Sequence, residues 1–409
     1  MPAPLSEQTV ALVKATVPAL EEHGLDITRR MYERMFANPA IRDLFNQSHH
    51  GGTGSQPKAL AAAVLAYARH IDNLGVLGGA VERIAQKHVA LNILPEHYPF
   101  VADALLEAIK DVLGEAASDD IVAAWGEAYW FLAEILIGRE ATIYRELAAQ
   151  PGGWNGWRDF VVEKVADESS IIRSFTLVPA DGGPVVCHKP GQYLGFALDI
   201  PGAGTLRRNY SVSSAPNNRA YRITVKREAG PGVPPGIASN WLHDAAGPGT
   251  VLKVAAPAGD FFLDTHSDAP VVLASGGVGL TPTLSMLETI AAKQPERPTW
   301  WVHGALNGRV HAMGSHVLAL AQRAPGIRTI TFYAEPLQQD RPDMKGMISV
   351  NWLRENTPVN ATYYLCGPRP FLRSLVGGLL AAGVPAERVR YEFFGPADEL
   401  IERPASLAA

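Results

Sequence analysis

Residues 81–93 read VERIAQKHVALNI, and their apolar positions recur at the spacing of one helical face. His88 falls on or beside that apolar stripe, while Lys87 is turned away from it. Imidazole is the commonest metal ligand in proteins, so a histidine here can hold a metal ion or a haem iron. A lone histidine on such a face is more often an ordinary core or surface residue, and this helix alone leaves both interpretations open.

Length and composition exclude several classes of protein. A chain of 409 residues is too long for one ordinary domain and indicates about two to four. The net charge of −5, without a basic block, argues against a nucleic-acid partner. No uninterrupted run of about 18 apolar residues predicts a membrane span, and no signal peptide is recognised. Cys187 and Cys366 are the only cysteines, which excludes a disulfide framework and favours a reducing cytoplasm.

Three stretches of different character follow one another along the chain. Residues 1–150 have helical periodicity, and Ser6 opens a first helix whose face continues to Leu20. Further helices are predicted at 26–36, from 56, around 88, at 96–113 and at 119–147. After PGGWNGW, residues 151–265 show short β-like runs between turns, which predict an antiparallel barrel or sandwich. Residues 266–409 alternate buried strands with helices, which predicts a doubly wound parallel sheet.

A glycine-rich turn joins the first strand of the last stretch to a helix. It reads ASGGVGLTP at 274–282 and contains Gly276, Gly277 and Gly279. Such glycines let a pyrophosphate approach backbone N–H groups at the positive end of a helix. Thr281 is placed to cap that helix and Pro282 suits its first turn. A tight turn without a ligand is the alternative.

Two familiar nucleotide motifs are absent, since the turn is neither Gly-x-Gly-x-x-Gly nor a P-loop. The segment WWVHGALNGR, which contains the next strand, brings no acidic residue for a ribose 2′-hydroxyl. Room is therefore left for a 2′-phosphate, which favours NADPH over NADH.

A polar motif, RNYS, lies in the β-rich stretch beside PGQY at 190–193; it comprises Arg208, Asn209, Tyr210 and Ser211. An arginine can bind a phosphate bidentately, and the tyrosine and serine offer an aromatic face and hydroxyls to a flat heterocycle. Taken alone, RNYS is equally plausible as a polar strand edge. Two further motifs follow the glycine turn, namely YLCGP and EFFGP. Each of these motifs alone is a weak indication of nucleotide binding, but the four motifs in this order are a specific one.

These motifs, in this order and spacing, resemble the ferredoxin–NADP⁺ reductase type of flavin reductase. The resemblance implies that RNYS and Tyr193 hold FAD, that Glu392 lies near the flavin and that Phe394 covers it. It also implies FAD contacts from Gly236, Ser239 and Asn240, although the loop at 228–240 departs from the family in its length and prolines. The residues implied to face NADPH are Gly276, Gly277, Gly279, Thr281, Pro282, Cys366, Gly367 and Pro368.

The N-terminal stretch is similar to bacterial globins, through RMYERMF, DLFN, SQPKAL and QKHVALNI in the globin order. The two resemblances joined in one chain are those of a flavohaemoglobin and cover about residues 5–396. They imply an all-α globin domain at 1–150, an antiparallel β-barrel FAD domain at 151–265 and a doubly wound parallel-sheet NAD(P)-binding domain at 266–409. The implied cofactors are haem b, FAD and NADPH or NADH.

Residue roles on the haem side also follow from the resemblance. His88 is implied as the proximal iron ligand, with Tyr98 and Glu140 behind it. A carboxylate near the second ring nitrogen would increase electron donation by the histidine. The residues implied on the distal side are Tyr32, Gln56 and Leu60, with Phe45 wedged against the haem and Lys87 near the flavin junction.

The implied activity is that of a nitric oxide dioxygenase, in which NADPH reduces FAD, FAD reduces the haem iron, and O₂ and nitric oxide yield nitrate. Tyr32 and Gln56 would stabilise negative charge that develops on O₂. Two other classes stay open: a reductase whose globin senses O₂ or redox state, and a flavin enzyme that reduces peroxides. The expected partners are O₂ and nitric oxide; a lipid or other apolar distal ligand is left open, and a monomer is expected.

Overall fold

The computed structural model describes residues 3–45, 55–229 and 235–395. This part of the chain falls into two compact units that separate between Ala149 and Gln150, except that Thr205–Arg208 is assigned to the first unit. The end of DLFN, the prolines at 231 and 234 and the tail from residue 396 lie outside the described residues. The division predicted at residue 265 falls within the second unit and stays a prediction.

The first unit is helical, as predicted. Its described α-helices are α1 (Glu7–Ala15), α2 (Val17–Phe36), α3 (Pro39–Arg42), α4 (Ser55–Arg69), α5 (Gly78–Ala90), α6 (Tyr98–Leu113) and α7 (Asp119–Ala148). Helix α2 packs against α4 and α6, and α7 packs against α1, α5 and α6. Ile27, Met31 and Trp125 are buried in the resulting core. This packing brings the end of α5, the start of α6 and the middle of α7 together.

The predicted first helix is two helices. Helix α1 begins after Ser6, whose Oγ accepts a hydrogen bond from the backbone of Thr9 at 3.0 Å. The prediction that one face continues to Leu20 is wrong, because α1 ends before Thr16. Pro18 has no N–H with which to continue the helical ladder, so a new helix starts there.

The helix that carries His88 is shorter than the periodicity of residues 81–93 predicts. Helix α5 ends at Ala90, and Asn92 lies beyond it in the left-handed region with φ of 52°. Asparagine is among the few residues that adopt this conformation readily. His88 is therefore in the last turn of α5, close to where the chain bends back toward α6.

The second unit begins with an antiparallel sheet. Its strands are β1 (Arg158–Asp167), β2 (Ile172–Pro179), β3 (Tyr193–Ile200), β4 (Gly204–Ser211), β5 (Tyr221–Lys226) and β6 (Val251–Val254), in the order β4-β3-β6-β1-β2-β5. Helix α8 (Ile237–Asp244) lies between β5 and β6 in the chain. Phe160, Phe175 and Phe196 are fully buried in this part of the unit. The predicted antiparallel β architecture is confirmed.

A parallel sheet completes the second unit. Its strands are β7 (Val271–Gly276), β8 (Thr299–Ala305), β9 (Ile327–Tyr333), β10 (Met344–Lys345), β11 (Thr362–Cys366) and β12 (Val389–Glu392), in the order β10-β9-β8-β7-β11-β12. The helices are α9 (Leu280–Lys293), α10 (Gly314–Arg323), α11 (Val350–Asn356) and α12 (Arg369–Ala381). The strand order reverses between β7 and β11. Ligands of doubly wound sheets bind at the carboxyl ends of the strands at such a switch point.

Helix α7 meets the length and mean-hydropathy criteria for a membrane-spanning helix, which the search for an uninterrupted apolar run did not predict. These criteria are weak grounds for a span, because core helices of soluble proteins meet them too. Trp125 and Glu140 on α7 are buried.

Candidate functional site

The histidine singled out from the sequence has two polar neighbours. His88 Nδ1 lies 2.7 Å from Glu140 Oε1 of α7 and 3.1 Å from the hydroxyl of Tyr98 at the start of α6. The Tyr98 hydroxyl also donates to Glu140 Oε1 at 2.6 Å, and Glu140 is only 2% exposed. Burial, and then the charge of Glu140, raise the pKa of Tyr98 above its ordinary range, so this hydroxyl stays a donor. The structure thus brings together the three residues that the sequence grouped around an iron.

The hydrogen bond between His88 Nδ1 and Glu140 determines whether Nε2 of His88 can bind a metal. A carboxylate at Nδ1 accepts the proton that this nitrogen carries, which leaves the lone pair on Nε2. Among the described residues, Nε2 of His88 has no hydrogen-bond partner. The same part of the chain contains no cluster of three or more His, Cys, Asp or Glu side chains that could hold a metal ion. A single imidazole that presents Nε2 in this way therefore fits an iron whose other ligands come from a porphyrin.

The predicted distal residues lie on α2 and α4 and in the segment after α3. Tyr32 is 7% exposed, and its ring centroid lies 5.7 Å from Phe45 and 5.5 Å from Phe36. Burial raises the pKa of Tyr32 above its ordinary range, so the hydroxyl is protonated at neutral pH. Gln56 and Leu60 are half-buried on α4. Phe36 was missed, although it lies four residues after Tyr32 and thus on the same helical face.

The first turn of α4 is held against α2. The hydroxyl of Thr28 donates to the Pro57 carbonyl at 2.9 Å. Thr28 and Tyr32 lie one turn apart on α2, so this bond holds the first turn of α4 beside the part of α2 that carries Tyr32. Pro57 is the third residue of α4, where a missing N–H costs no helical hydrogen bond, so the proline leaves the helix start intact.

The RNYS motif occupies the end of β4, next to the PGQY segment that leads into β3. Arg208 and Tyr210 are half-buried, Asn209 is exposed and Ser211 is buried. The backbone N–H of Val212 donates to the Gln192 carbonyl at 2.9 Å. The two motifs are therefore hydrogen-bonded neighbours, as the sequence predicted.

Two tyrosines give this edge of the antiparallel sheet its aromatic character. Tyr210 packs edge-on against Phe196, with 5.5 Å between ring centroids. Tyr193 is buried beside Gly259, where a Cβ would lie 2.8 Å from the tyrosine ring and φ is 116°. A flat heterocycle would find aromatic faces and hydroxyl groups here.

Ser239 and Asn240 have a role that the sequence did not predict. The Ser239 Oγ accepts a hydrogen bond from the backbone of Glu228 at 3.1 Å. The Asn240 amide donates to the carbonyls of Glu228 at 2.9 Å and Gly236 at 2.8 Å. Both side chains thereby hold the ends of the 228–236 loop at the start of α8. Their contact with FAD stays a prediction.

The glycine turn after β7 interlocks with the end of β11. A Cβ on Gly279 would lie 2.5 Å from the carbonyl carbon of Cys366 and 2.7 Å from the nitrogen of Gly367. A Cβ on Gly276 would lie 3.0 Å from Pro368 Cδ. The two predicted NADPH-facing motifs thus meet at the switch point of the sheet, and they can approach this closely because the glycines have no side chains.

Gly277 differs from its neighbours in the same turn. Its φ is 54°, and a Cβ placed on it would meet no atom within 4 Å. Open space beside exposed backbone, directly before a helix, fits a nucleotide pyrophosphate.

The predicted cap at Thr281 is wrong. A 3₁₀ turn over Gly277–Gly279 leads straight into α9, so the helix begins at Leu280 without a side-chain cap. Thr281 is already the second helical residue, and its hydroxyl donates to the Val278 carbonyl at 3.1 Å. Pro282 lies in the first turn, as predicted. The first backbone N–H groups of α9 are therefore not capped by a side chain.

Glu392 links the flavin motif to the nicotinamide motif. It pairs with Cys366 across β11 and β12. Burial, and then the charge of Glu392, raise the pKa values of Tyr193 and Cys366 well above their ordinary ranges. Phe394, two residues later, is 47% exposed, which leaves its ring available to a ligand. Lys87 is half-buried on α5, and its place near the flavin stays a prediction.

Two pairs of polar side chains near the ends of β7 to β9 were missed. Ser275 Oγ lies 2.9 Å from His303 Nδ1, and His311 Nδ1 lies 2.9 Å from the Tyr333 hydroxyl. Burial holds the pKa of His303 well below its ordinary value, so its ring is neutral. The pairing of Ser275 with His303 could have been predicted from the sequence, because the two residues occupy matching positions near the ends of two adjacent predicted strands.

The loop after β8 does meet an acidic residue, although none lies in the segment WWVHGALNGR itself. The backbone N–H groups of Gly308 and Leu337 each donate to Asp340 Oδ2 at 2.9 Å. Asp340 belongs to the loop after β9, about 30 residues further along the chain. The preference for NADPH, which depended on the absence of a nearby carboxylate, thereby loses its support and stays a prediction.

Comparisons with known proteins agree with this geometry. A globin family model matches residues 29–136, and a model described as an oxidoreductase NAD-binding domain matches residues 273–376. A flavohemoprotein of Xylella fastidiosa is 52% identical over 400 residues, which cover 98% of this chain and 99% of that protein. This chain belongs to the flavohemoprotein family. A second flavohemoprotein, from Rhodopirellula baltica, is 47% identical over 97% of this chain and 99% of its own length.

Solved structures place this flavohemoprotein in the same fold. A flavohemoglobin from Malassezia yamatoensis with bound FAD and heme has a TM-score of 0.85 at 27% identity, over 96% of this chain and 100% of that chain. The FAD/NAD-binding domain of a nitric oxide dioxygenase from Vibrio cholerae has a TM-score of 0.55 at 37% identity, over 59% of this chain and all of that domain. The predicted combination of a globin with a flavin reductase is confirmed.

Proposed function

We propose that this flavohemoprotein is a cytoplasmic nitric oxide dioxygenase, which uses NAD(P)H and O₂ to convert nitric oxide to nitrate. The observation that carries the proposal is the His88 imidazole backed by Glu140 at 2.7 Å, on one chain with a flavin-reductase fold. When bound, the haem would supply an iron for O₂, and FAD would convert two-electron hydride donation into one-electron steps. The division into domains at 1–150, 151–265 and 266–409 is part of this proposal.

On the proximal side, the chain would make His88 a strong electron donor. Glu140 accepts the Nδ1 proton, which increases the negative charge available at Nε2. Tyr98 donates to the same carboxylate oxygen and keeps the carboxylate aimed at the ring.

On the distal side, the protonated Tyr32 hydroxyl and the Gln56 amide would donate hydrogen bonds to a diatomic ligand. Such donors stabilise negative charge that develops on the ligand. The rings of Phe36 and Phe45 pack against Tyr32 and restrict its movement. A lipid or other apolar occupant of this pocket is not needed for the proposed reaction.

Residues of the flavin-reductase motifs would bind and orient two nucleotides. Arg208, Tyr210, Ser211 and Tyr193 would hold FAD, while the turn at 276–279 would hold the pyrophosphate of NAD(P)H. Phe394, whose ring is exposed, would cover the flavin.

Rapid mixing of the O₂-bound protein with nitric oxide tests the proposal. We expect stoichiometric nitrate within the mixing timescale, and a Tyr32→Phe variant that consumes nitric oxide at least about tenfold more slowly. A slow reaction, or a product other than nitrate, would remove the proposal. A Tyr32→Phe variant with altered O₂ release but parental nitric oxide consumption would favour a sensor instead.

A further inference from the structure

A polar contact joins helix α9 to the antiparallel sheet within the second unit. Glu288 Oε1 on α9 lies 2.6 Å from a terminal nitrogen of Arg222 on β5 and 2.7 Å from His316 Nε2 on α10. The other carboxylate oxygen accepts the backbone N–H of Ala215 at 2.7 Å. We call these four residues the Glu288 cluster. The Glu288 side chain is 13% exposed.

A second row of contacts lies one helical turn earlier on α9. The Ser285 hydroxyl donates to the Ser214 carbonyl at 2.7 Å. His188 Nε2 lies 3.1 Å from the same carbonyl and 3.2 Å from Ser285 Oγ. Gly191 lets the chain pass close to Met286, because a Cβ on it would lie 2.5 Å from the methionine Cε. Helix α9 is therefore seated on two segments that flank strands of the antiparallel sheet.

The carboxylate of Glu288 is held in its charged form. Burial alone would raise its pKa, but the hydrogen bonds from His316, Arg222 and Ala215 outweigh burial and lower it. Replacing an ion pair of this kind by apolar residues is often neutral for stability. A geometric role explains its presence better than a contribution to the free energy of unfolding.

The elements joined by the Glu288 cluster are those that carry the two nucleotide motifs. Ala215 follows shortly after RNYS at 208–211, and His188 precedes Tyr193. Helix α9 begins directly after the glycine turn at 277–279. At 1.5 Å per residue, Glu288 is about 12 Å along the helix from Leu280. One rigid helix therefore connects the turn to the flavin-side segments.

We propose that Glu288 is a positioning residue for flavin reduction. Together with Arg222, His316 and Ala215, it sets the distance between the nicotinamide held at the glycine turn and the flavin held at RNYS. When both cofactors are bound, the nicotinamide would supply a hydride with both its electrons and the flavin would accept it, while Glu288 and its partners would fix only their separation. This inference rests on the proposed function of the second unit as an NAD(P)H-dependent flavin reductase.

The test compares Glu288→Gln with Glu163→Gln in the full-length holoprotein. Glu163 on β1 forms an exposed ion pair with Arg219 and does not belong to the Glu288 cluster. We expect the limiting rate of anaerobic flavin reduction at saturating NADH to fall about tenfold in Glu288→Gln, since small displacements of reacting atoms are costly. The Kd for NADH should stay within about twofold, and Glu163→Gln should match the parent in both quantities.

Hydrogen exchange gives a readout that is independent of activity. Peptides that contain Ala215 should exchange faster in Glu288→Gln than in the parent, because a neutral amide accepts the Ala215 N–H less strongly than a carboxylate. Peptides that contain the Glu163 strand should exchange equally in the parent and in Glu288→Gln.

A parental limiting rate in Glu288→Gln would overturn the proposal, and so would a weaker Kd for NADH with an unchanged rate. If Glu288→Gln does not fold, His316→Gln decides, since the His316 side chain is 40% exposed and its replacement leaves the core intact. A parental limiting rate in that variant would likewise overturn the proposal. A parent protein that neither NADH nor NADPH reduces would instead remove the proposed function itself.

Discussion

The two candidate sites of this flavohemoprotein are built in opposite ways. The haem side depends on polar side chains from three helices, His88, Tyr98 and Glu140, which lie within 3.1 Å of one another. The nucleotide edge depends on missing side chains, since Gly279 and Gly367 approach too closely for a Cβ on Gly279. Substitutions at the two sites should therefore have different effects. At the haem side they should change how iron is bound and how it reacts, and at the nucleotide edge they should change the space available to a bound nucleotide.

The largest expected effect is a loss of haem from the first unit that leaves flavin reduction in the second unit unchanged. His88→Ala should lower the haem content at least about a hundredfold, because it removes the proposed protein ligand of the iron. Flavin content and NADH-dependent flavin reduction should stay within about twofold of the parent, because the glycine turn at 276–279 and most of the RNYS motif belong to the other compact unit. The ratio of Soret to flavin absorbance measures both. A His88→Ala protein with a full, five-coordinate haem that turns over at the parental rate would refute the assignment.

The next prediction tests whether the nucleotide edge depends on the absence of side chains at its glycines. Gly279→Ala should lower NADH-dependent flavin reduction by about thirtyfold without loss of haem, because the new methyl group pushes the turn away from Cys366. Since φ of Gly279 is −61°, backbone strain does not contribute. Gly377→Ala on α12, where a Cβ meets nothing within 4 Å, is the matched control and should reduce flavin normally. Equal rates of flavin reduction in Gly279→Ala and Gly377→Ala would show that the close approach at Gly279 does not control the nucleotide edge.

A smaller effect is expected from the proximal hydrogen bonds. Glu140→Gln should keep its haem but consume nitric oxide about tenfold more slowly, because the amide accepts the His88 proton less strongly. Tyr98→Phe should cost only about twofold, since the bond between Glu140 and His88 remains. Nitric oxide electrode traces and the iron–histidine vibration report these changes. The reverse order of the two variants would show that Tyr98, not Glu140, is the main partner.

The smallest effect concerns a second histidine whose surroundings differ from those of His88. Burial lowers the pKa of His188 to about 4, although the Ser214 carbonyl and the charge of Glu288 oppose the shift. Below about pH 6.5 the unfolded chain binds a proton that the folded chain does not, so stability falls as the pH decreases until about pH 4. Between about pH 6.5 and pH 5 this group should cost about 2 kcal/mol.

Thermal unfolding at about pH 7 and about pH 5 measures this loss of stability. His188→Gln should lose less stability between the two pH values than the parent, because an amide side chain does not titrate. His266 is exposed, so His266→Gln is the control and should lose as much stability as the parent. An equal loss in the parent and in His188→Gln would show that other groups cause the pH dependence.

Much of the fold followed from local patterns, and the errors have identifiable causes. The helical first unit, the antiparallel strands and the parallel sheet were predicted from the spacing of apolar residues. The break at Thr16 was missed because helical periodicity continues across it. The cap at Thr281 was wrong because a 3₁₀ turn shifted the helix start, which periodicity does not register.

By itself, the sequence determined the type and order of the elements. The grouping of His88 with Tyr98 and Glu140 was implied only by the resemblance to a known family. These properties depend on residues that are near one another in the chain or on patterns that a family shares. Only the tertiary structure decided that Glu288 meets Arg222 and that Asp340 meets the loop after β8. Such contacts depend on strand order and helix packing, which bring distant residues together and leave no periodic signal in the sequence.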